Sequence, residues 1–590
     1  MKKIIYIFLS GLLTFTSCDV LDKEPLDIIS DAVVWNDKSL IEAFFNRCYM
    51  EMYVFDNESP DINQYGSFQV MYMINNISDE CKATETWSDD AYSYKFGNLK
   101  IQGGLLEWWE IPYKTVRKLN EFIERVPDSP VGDAAFVKQR VAEARFLRAF
   151  EYFSMVKRYG GVPLITSVQN IDDPEDILFP KRNTEQEIYD FVLSEMDAIV
   201  TDLPEEYESS DYGRPTKYAA LALKCRAALY AASIAQFGTV QLDGLAGINN
   251  SLANSYYQKS YDAANQIINS GIYALYNMDE DKTTNFRNVF MVEKNSEAIF
   301  VRQHDANSRD AGGNGSNYDF MQSPYPNGWE EGNLDAPYLE MVEEFEHIDG
   351  TSGKLDRTAI QQGLWTTEEL WANKDPRFFA TFYTMNTLWK GSKIDYRYGI
   401  LTPDGTVVTT GSYNGILARG LNYHRRAAGF GVLKYLDETY NNTDWNSSSK
   451  IDWIVFRYAE ILLNYAEAAF ELEKPNDALE VVNQIRVRAG IALLSNIDRD
   501  MIRHERKVEL AFEGHRYWDV RRWGIATTVL SLDFSGLLYI LDYQTGKYKL
   551  MINDKIDGSV SPAFYDQNYY LPITLERTGQ NSNLVENPGY

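Results

Sequence analysis

The chain has 590 residues, in which 57 Lys and Arg stand against 85 Asp and Glu, for a formal net charge of −28. That balance excludes a nucleic-acid partner, because phosphate binding needs clustered Lys and Arg. Four Cys and five His leave little material for metal or redox chemistry, and a chain this long builds a core without disulfides or a structural metal.

Residues 1–17 read as an export signal. Lys2 and Lys3 form a basic start, and the apolar stretch from Ile4 to Phe15 is too short to span a bilayer. Thr16 and Ser17 precede Cys18, a pattern that resembles a bacterial lipoprotein signal, with Cys18 as the lipidated residue. The mature chain is then expected to be held at a membrane by lipid alone, since no later run offers the roughly 18 apolar residues of a spanning helix. Cys48, Cys81 and Cys225 cannot form a complete disulfide set and are expected to be free, buried thiols.

Helical periodicity begins at residues 105–126 and continues at 134–159, where Phe146, Phe150 and Phe153 mark one apolar face. Gly160-Gly161 and Pro163 stop that helix. Asn183-Thr184 ahead of Glu187 predicts a capped start for a helix over 183–203. Residues 216–236 are apolar almost all round and predict a buried helix, with 254–270 as its antiparallel partner. Residues 300–450 carry few periodic runs and are rich in Gly, Asn, Asp, Ser, Tyr and Trp, which predicts functional loops. Helices are predicted again over 453–472, 475–489 and 498–513. The pair joined at Pro475 has about the tetratricopeptide period, which implies a short helical-repeat scaffold under a loop-rich face.

The chain carries no H-E-x-x-H, C-x-x-C, G-x-S-x-G or phosphate-binding P-loop motif. Asp279 and Asp281 are spaced like part of a calcium loop, without its Gly or its distal Glu. Glu505, Glu509 and Glu513 share one helix face between His504 and His515, and the basic residues nearby make a salt-bridged helix the expected reading. No catalytic residue, metal ligand or cofactor is assigned, and a structural calcium stays open.

Several segments together carry a family pattern. In order they are AEARFLRAFEYFSMVKRYGGVPLI (142–165), GRPTKYAALALKCRAALYAA (213–232), DPRFFAT (375–381), GFGVLKYLD (429–437), VFRYAEILLNYAEAAFEL (455–472), NQIRVRAG (483–490), RHERKVELAFEGHRYWDVRRWG (503–524), YLPIT (570–574) and NPGY (587–590). This closely resembles the SusD/RagB family of outer-membrane nutrient-binding lipoproteins, over nearly the whole mature chain. The resemblance implies a mainly α fold, with tetratricopeptide-type helix pairs framing a loop-built ligand face. It also implies a cell-surface, lipid-anchored protein at the outer membrane that binds glycan without catalysis and delivers it to a SusC-like TonB-dependent transporter. Residues 18–280 would form the N-terminal part with the helical pairs, and 281–590 the C-terminal part with ligand loops and the final helical pair.

Within that family pattern, Glu509, Arg516, Asp519, Arg521 and Arg522 read as an internal ion-pair network, with Trp518 and Trp523 in the core. Trp108, Trp109 and Trp453 also fall on scaffold segments. Sugars present apolar C–H faces ringed by hydroxyls, so aromatic rings mixed with polar side chains are the expected binding chemistry. Residues 84–98 have that mixture with Trp87, Tyr92 and Tyr94, and residues 303–332 have it with Tyr318, Tyr325 and Trp329. Trp365 and Trp389 come next. A peptide- or glycoprotein-binding member of the family and a surface glycoside hydrolase are the alternatives.

Overall fold

A long helix stands at the centre because its sequence buries nearly every side. In the computed structural model, which describes residues 31–55, 74–83, 94–98, 106–131, 133–305, 315–316, 318–328, 333–421, 428–439 and 449–590, helices carry most of the architecture. Helix α1 spans Lys38–Met50, α2 Glu110–Arg125, and the central α3 Ala134–Tyr159. Phe150 of α3 meets Phe55, Phe153 and Phe456 edge-on, at ring separations of 4.8, 6.3 and 6.0 Å. Five charged residues of α3 (Arg140, Glu143, Arg148, Glu151 and Arg158) are buried too, and each has a partner. Arg148 pairs with Glu195 at 2.9 Å, and Glu151 accepts the Trp108 indole N–H at 2.8 Å.

Gly160, at φ +71°, caps α3, and Gly161 follows it for a steric reason. A Cβ there would lie 1.8 Å from the Asn183 carbonyl oxygen, so only glycine permits this approach. The next helix, α4 (Glu185–Ile199), starts with the expected capping box. Thr184 Oγ accepts the Glu187 N–H at 3.1 Å, and the Glu187 carboxylate accepts the Thr184 N–H at 2.8 Å. Thr184→Ala is expected to cost about 1 kcal/mol, read from the denaturation midpoint; an unchanged midpoint would mean the cap contributes nothing.

Helices α5 (Lys217–Phe237) and α6 (Ala253–Ser270) pack as an antiparallel pair: Asn250 bonds the Ala235 carbonyl and Ser260 the Cys225 carbonyl. Helix α7 (Lys282–Met291), which periodicity did not reveal, is capped by Asp281, whose side chain accepts the Thr284 N–H. Asp279 accepts from Asn288. Both aspartates of the suspected partial calcium loop therefore serve local structure. Helices α8 (Tyr458–Glu471) and α9 (Pro475–Ala489) form the repeat-like pair, and α8 also packs on α6. Helices α10 (Arg499–Glu509) and α11 (Arg516–Arg522) follow.

Residues 453–457 are not helical. They form a strand, Trp453–Arg457, paired antiparallel with Ala298–Arg302. The segment WIVFR is buried on both faces, so it lacks the alternation that marks a half-buried strand and blends into the helix that follows. The loop-rich middle also holds more strand than its sequence suggests. Cys81–Ala83 pairs with Asp335–Pro337, and Phe382–Thr384 with Phe430–Val432. Arg397–Leu401 lies in a four-stranded sheet with Val407–Val408, Gly536–Asp542 and Tyr548–Asn553. In chain order these strands are β1 (81–83), β2 (298–302), β3 (335–337), β4 (382–384), β5 (397–401), β6 (407–408), β7 (430–432), β8 (453–457), β9 (536–542) and β10 (548–553). Cys48, Cys81 and Cys225 are free and buried.

Candidate functional site

The described residues that flank two of the aromatic segments are neighbours. Strands β1 and β3 pair Ala83 with Asp335. The stretch after Ala83, which bears Trp87 and Tyr92, thus begins beside the stretch that ends before Asn333 and bears Trp329. Asn333 donates to the Phe430 carbonyl of β7 at 2.8 Å, and Ser316 bridges Ser449. Residues from five separated parts of the chain therefore meet in one shelf.

The shelf is polar beneath its surface. Asn75 Nδ2 donates to Asp335 Oδ2 at 3.2 Å, and the Asp335 N–H donates to Gln322 Oε1 at 3.1 Å. The Asp319 N–H donates to Ser449 Oγ at 3.0 Å, and Asp319 Oδ1 accepts the Asp437 N–H at 2.8 Å. Asn75, Ser316, Asp319, Gln322 and Asp335 are all buried, and each keeps one side-chain atom without a hydrogen-bond partner among the described residues. Such groups are rare in folded proteins and call for a partner. Burial pushes the Asp319 carboxyl up to about 7 and raises that of Asp335 well above its ordinary value. The arrangement offers donors and acceptors of low net charge, which suits hydroxyl-bearing molecules.

Residues 74–83 are anchored rigidly below. Asp79 holds Arg516 at 2.7 Å and Lys507 at 2.9 Å. Burial works to raise the Asp79 carboxyl, but these two cations overcome it and hold the group well below the usual range. Glu80 accepts the Phe512 N–H at 2.9 Å, and burial lifts its carboxyl up to about 7. Asp79 thus ties the shelf to α10 and α11, and Glu80 ties it to the turn between them.

Under them lies the glutamate stripe. Glu505 pairs with Arg377 and Arg486 at 2.6 and 2.9 Å. Glu509 pairs with Arg377, Arg457 and Arg488, and Glu513 with Lys434 and Arg457. The expected salt-bridged reading holds, but the partners come from distant segments and not from neighbours on the same helix. Arg522 pairs with Asp519 and Glu467, and Arg506 with Asp519. Trp108, Trp453, Trp518 and Trp523 are buried as expected, while Trp109 is half-buried. His504 bonds Glu344, and among the described residues no cluster of His, Cys, Asp or Glu could hold a metal.

Opposed titrations give a stability optimum. Burial disfavours charge on Glu467, but Arg522 beside it brings that carboxyl down to about 2. Groups lowered in this way contribute above the unfolded carboxylate range, and lose that contribution as pH falls. The carboxyls of Glu80 and Asp319, raised to about 7, contribute below that range and lose it as pH rises toward 7. Melting temperature is therefore expected to peak near about pH 5 and to decline toward neutrality. Glu80→Gln should flatten the alkaline limb; an unaltered limb would remove Glu80 as its source.

Of the six aromatic candidates, Trp87, Tyr92 and Trp329 lie outside the described residues, as does Cys18. The structure places two others in the core. Tyr94 is 8% exposed and its hydroxyl accepts the Leu106 N–H; Tyr318 is 5% exposed and donates to the Lys434 carbonyl at 3.0 Å. Both open a helical turn packed on the scaffold, so their rings support the shelf from inside. Tyr325 is 52% exposed, beside the shelf strip, and precedes a cis Pro326. Trp389 is buried, and half-buried Trp365 donates to the Ile360 carbonyl. The polar shelf itself went unread, because its members at 75, 316, 319, 322 and 335 share no spacing.

Comparison with known proteins agrees with this architecture. The profile of the SusD family matches residues 296–590, and one described as starch-binding, associating with the outer membrane, matches residues 19–229. A SusD-like protein of Formosa agariphila is 26% identical over 557 residues, covering 89% of this chain and 92% of its own. The crystal structure of a SusD-like protein from Bacteroides fragilis superposes with a TM-score of 0.74 at 27% identity, covering 96% of this chain and 100% of that one. Surface glycan-binding protein A from Bacteroides thetaiotaomicron, solved in complex with laminarihexaose, shares the fold with a TM-score of 0.62 at 19% identity, over 93% of this chain and 99% of that one.

Proposed function

Because the chain belongs to the SusD family, whose members bind and do not catalyse, we propose that it captures glycan at the cell surface and delivers it to a SusC-like TonB-dependent transporter. Lipid on Cys18 would hold it at the outer membrane. Capture proceeds by stacking of sugar faces on Trp87, Trp329 and the exposed Tyr325, with hydroxyls satisfied by polar groups around them. The observation that supports this reading is that Ala83 and Asp335, which flank the Trp87 and Trp329 segments, pair with each other beside buried polar groups. The match to a starch-binding, outer-membrane-associating profile supports the same compartment and ligand class.

The test is calorimetric titration of residues 19–590 against plant, host and microbial glycans and against peptides, with reducing-end assays on the same samples. Saturable binding of one glycan class without cleavage is the expected result. Binding of peptides alone would make this a peptide-importing member, and release of reducing ends would make it a hydrolase.

A further inference from the structure

The ammonium of Lys95 is held the way a bound cation is held. Lys95 is buried, and its Nζ donates to the backbone carbonyls of Asn76 at 2.9 Å and Cys81 at 3.1 Å and to the Tyr338 hydroxyl. Those acceptors engage all the N–H groups of the ammonium. Asp557 Oδ1 lies at 3.7 Å, and Tyr338 passes its own hydroxyl hydrogen to the Asp557 carboxylate at 2.7 Å. Asn76, Cys81, Tyr338 and Asp557 are buried as well. Carbonyl and carboxylate oxygens converging on one positive charge are the ligand chemistry of a hard cation, supplied here with a side chain in the cation's place.

The two carbonyls mark the ends of one turn. Asp79 and Glu80 fix its middle to α10, α11 and the turn between them, whereas Lys95 clamps it at 76 and at 81. The chain leads from the first clamp to Asn75, whose side chain donates to Asp335. It leads from the second into β1, whose Ala83 pairs with the same Asp335. Both approaches to Asp335 therefore run through a carbonyl that Lys95 holds. The backbone that delivers the ammonium is tied down separately, since the Lys95 carbonyl accepts the Ala563 N–H at 3.0 Å.

We propose that Lys95 is a positioning residue for ligand capture: its ammonium is a tethered cation that sets Asn75 and β1 around Asp335, so that the shelf is formed before ligand arrives. The role rests on the glycan-binding reading above. Lys95 touches no ligand in this role. Without its charge the Asn76 and Cys81 carbonyls lose their donor, the turn ends loosen, and binding has to order the shelf as well as fill it, which lowers affinity.

The test reads hydrogen exchange and then binding, on residues 19–590. In Lys95→Met the amides of residues 76–83 are expected to exchange faster without ligand, with α5 and α6 unchanged. Calorimetry with maltohexaose, mannohexaose and xylohexaose, well below the melting temperature, should show that whichever of them the wild type binds is held about tenfold or more weakly by the variant. Lys95→Ala should behave alike and regain both readouts in propylammonium, which returns the missing stem and charge, but not in 1-propanol, which returns the stem alone. Unchanged exchange, faster exchange with unchanged affinity, equal rescue by 1-propanol, or no rescue by either would each overturn the role. So would failure of both variants to fold, because Lys95 would then hold the whole fold and not the shelf. A wild type that binds no glycan fails the reading above and takes this role with it, whereas a wild type that binds no better than Lys95→Met fails this role alone.

Discussion

Arg457→Met is expected to destabilise the protein by about 3–5 kcal/mol, the cost of stranding buried charge by removing its partner. Arg457 reaches Glu297 at 2.9 Å, Glu509 at 2.7 Å and Glu513 at 2.6 Å, and donates to the Glu509 carbonyl at 2.8 Å. All four side chains are buried. The methionine fills similar volume, so the loss reports charge and hydrogen bonding more than a cavity. Arg357 provides the contrast. It pairs with Glu340 and Glu343, but its side chain is about a third exposed, so Arg357→Met should cost no more than about 1 kcal/mol. Urea midpoints of the two variants measure the difference. Equal small losses would show that Arg377, Arg488 and Lys434 compensate, and that the network holds no element in place.

That network also shows where sequence is informative. Glu505 and Glu509 are legible as one helix face, because their spacing is local, but α10 ends at Glu509 and Glu513 lies in the turn beyond it. Their partners at 377, 434, 457, 486 and 488 are set by tertiary packing, and no periodicity connects them. The same split runs through the fold. Helix α3 has the bounds its apolar pattern and its Gly-Gly stop predict, and α4 starts at its predicted cap. Strand β8 was read as helix, because a strand buried on both faces has no alternation to detect. Helix α7, between Asp281 and Met291, has no clear sequence signal, and its cap Asp281 is spaced with Asp279 like part of a calcium loop that lacks its Gly and distal Glu. Among the aromatic candidates, Tyr94 and Tyr318 show that an aromatic in a polar stretch packs inward when its turn docks on the scaffold.

The ligand face answers to a different experiment. Trp87→Ala and Trp329→Ala are each expected to weaken glycan binding by about 2 kcal/mol or more, roughly thirtyfold in Kd, as truncation of a central aromatic anchor does. The double variant should show no measurable binding. Melting temperature should hardly move, because the flanking strands β1 and β3 already pair through their own backbones. Trp108→Ala sets the scale for the opposite behaviour. Trp108 is fully buried, donates to Glu151 at 2.8 Å and packs beneath Arg158, so its removal should cost about 3–5 kcal/mol of stability. The two classes of tryptophan thus separate on two axes, binding and melting. If Trp87→Ala or Trp329→Ala falls with Trp108→Ala on the melting axis, those rings are core, and the binding chemistry must be sought among the polar groups of the shelf and the exposed Tyr325.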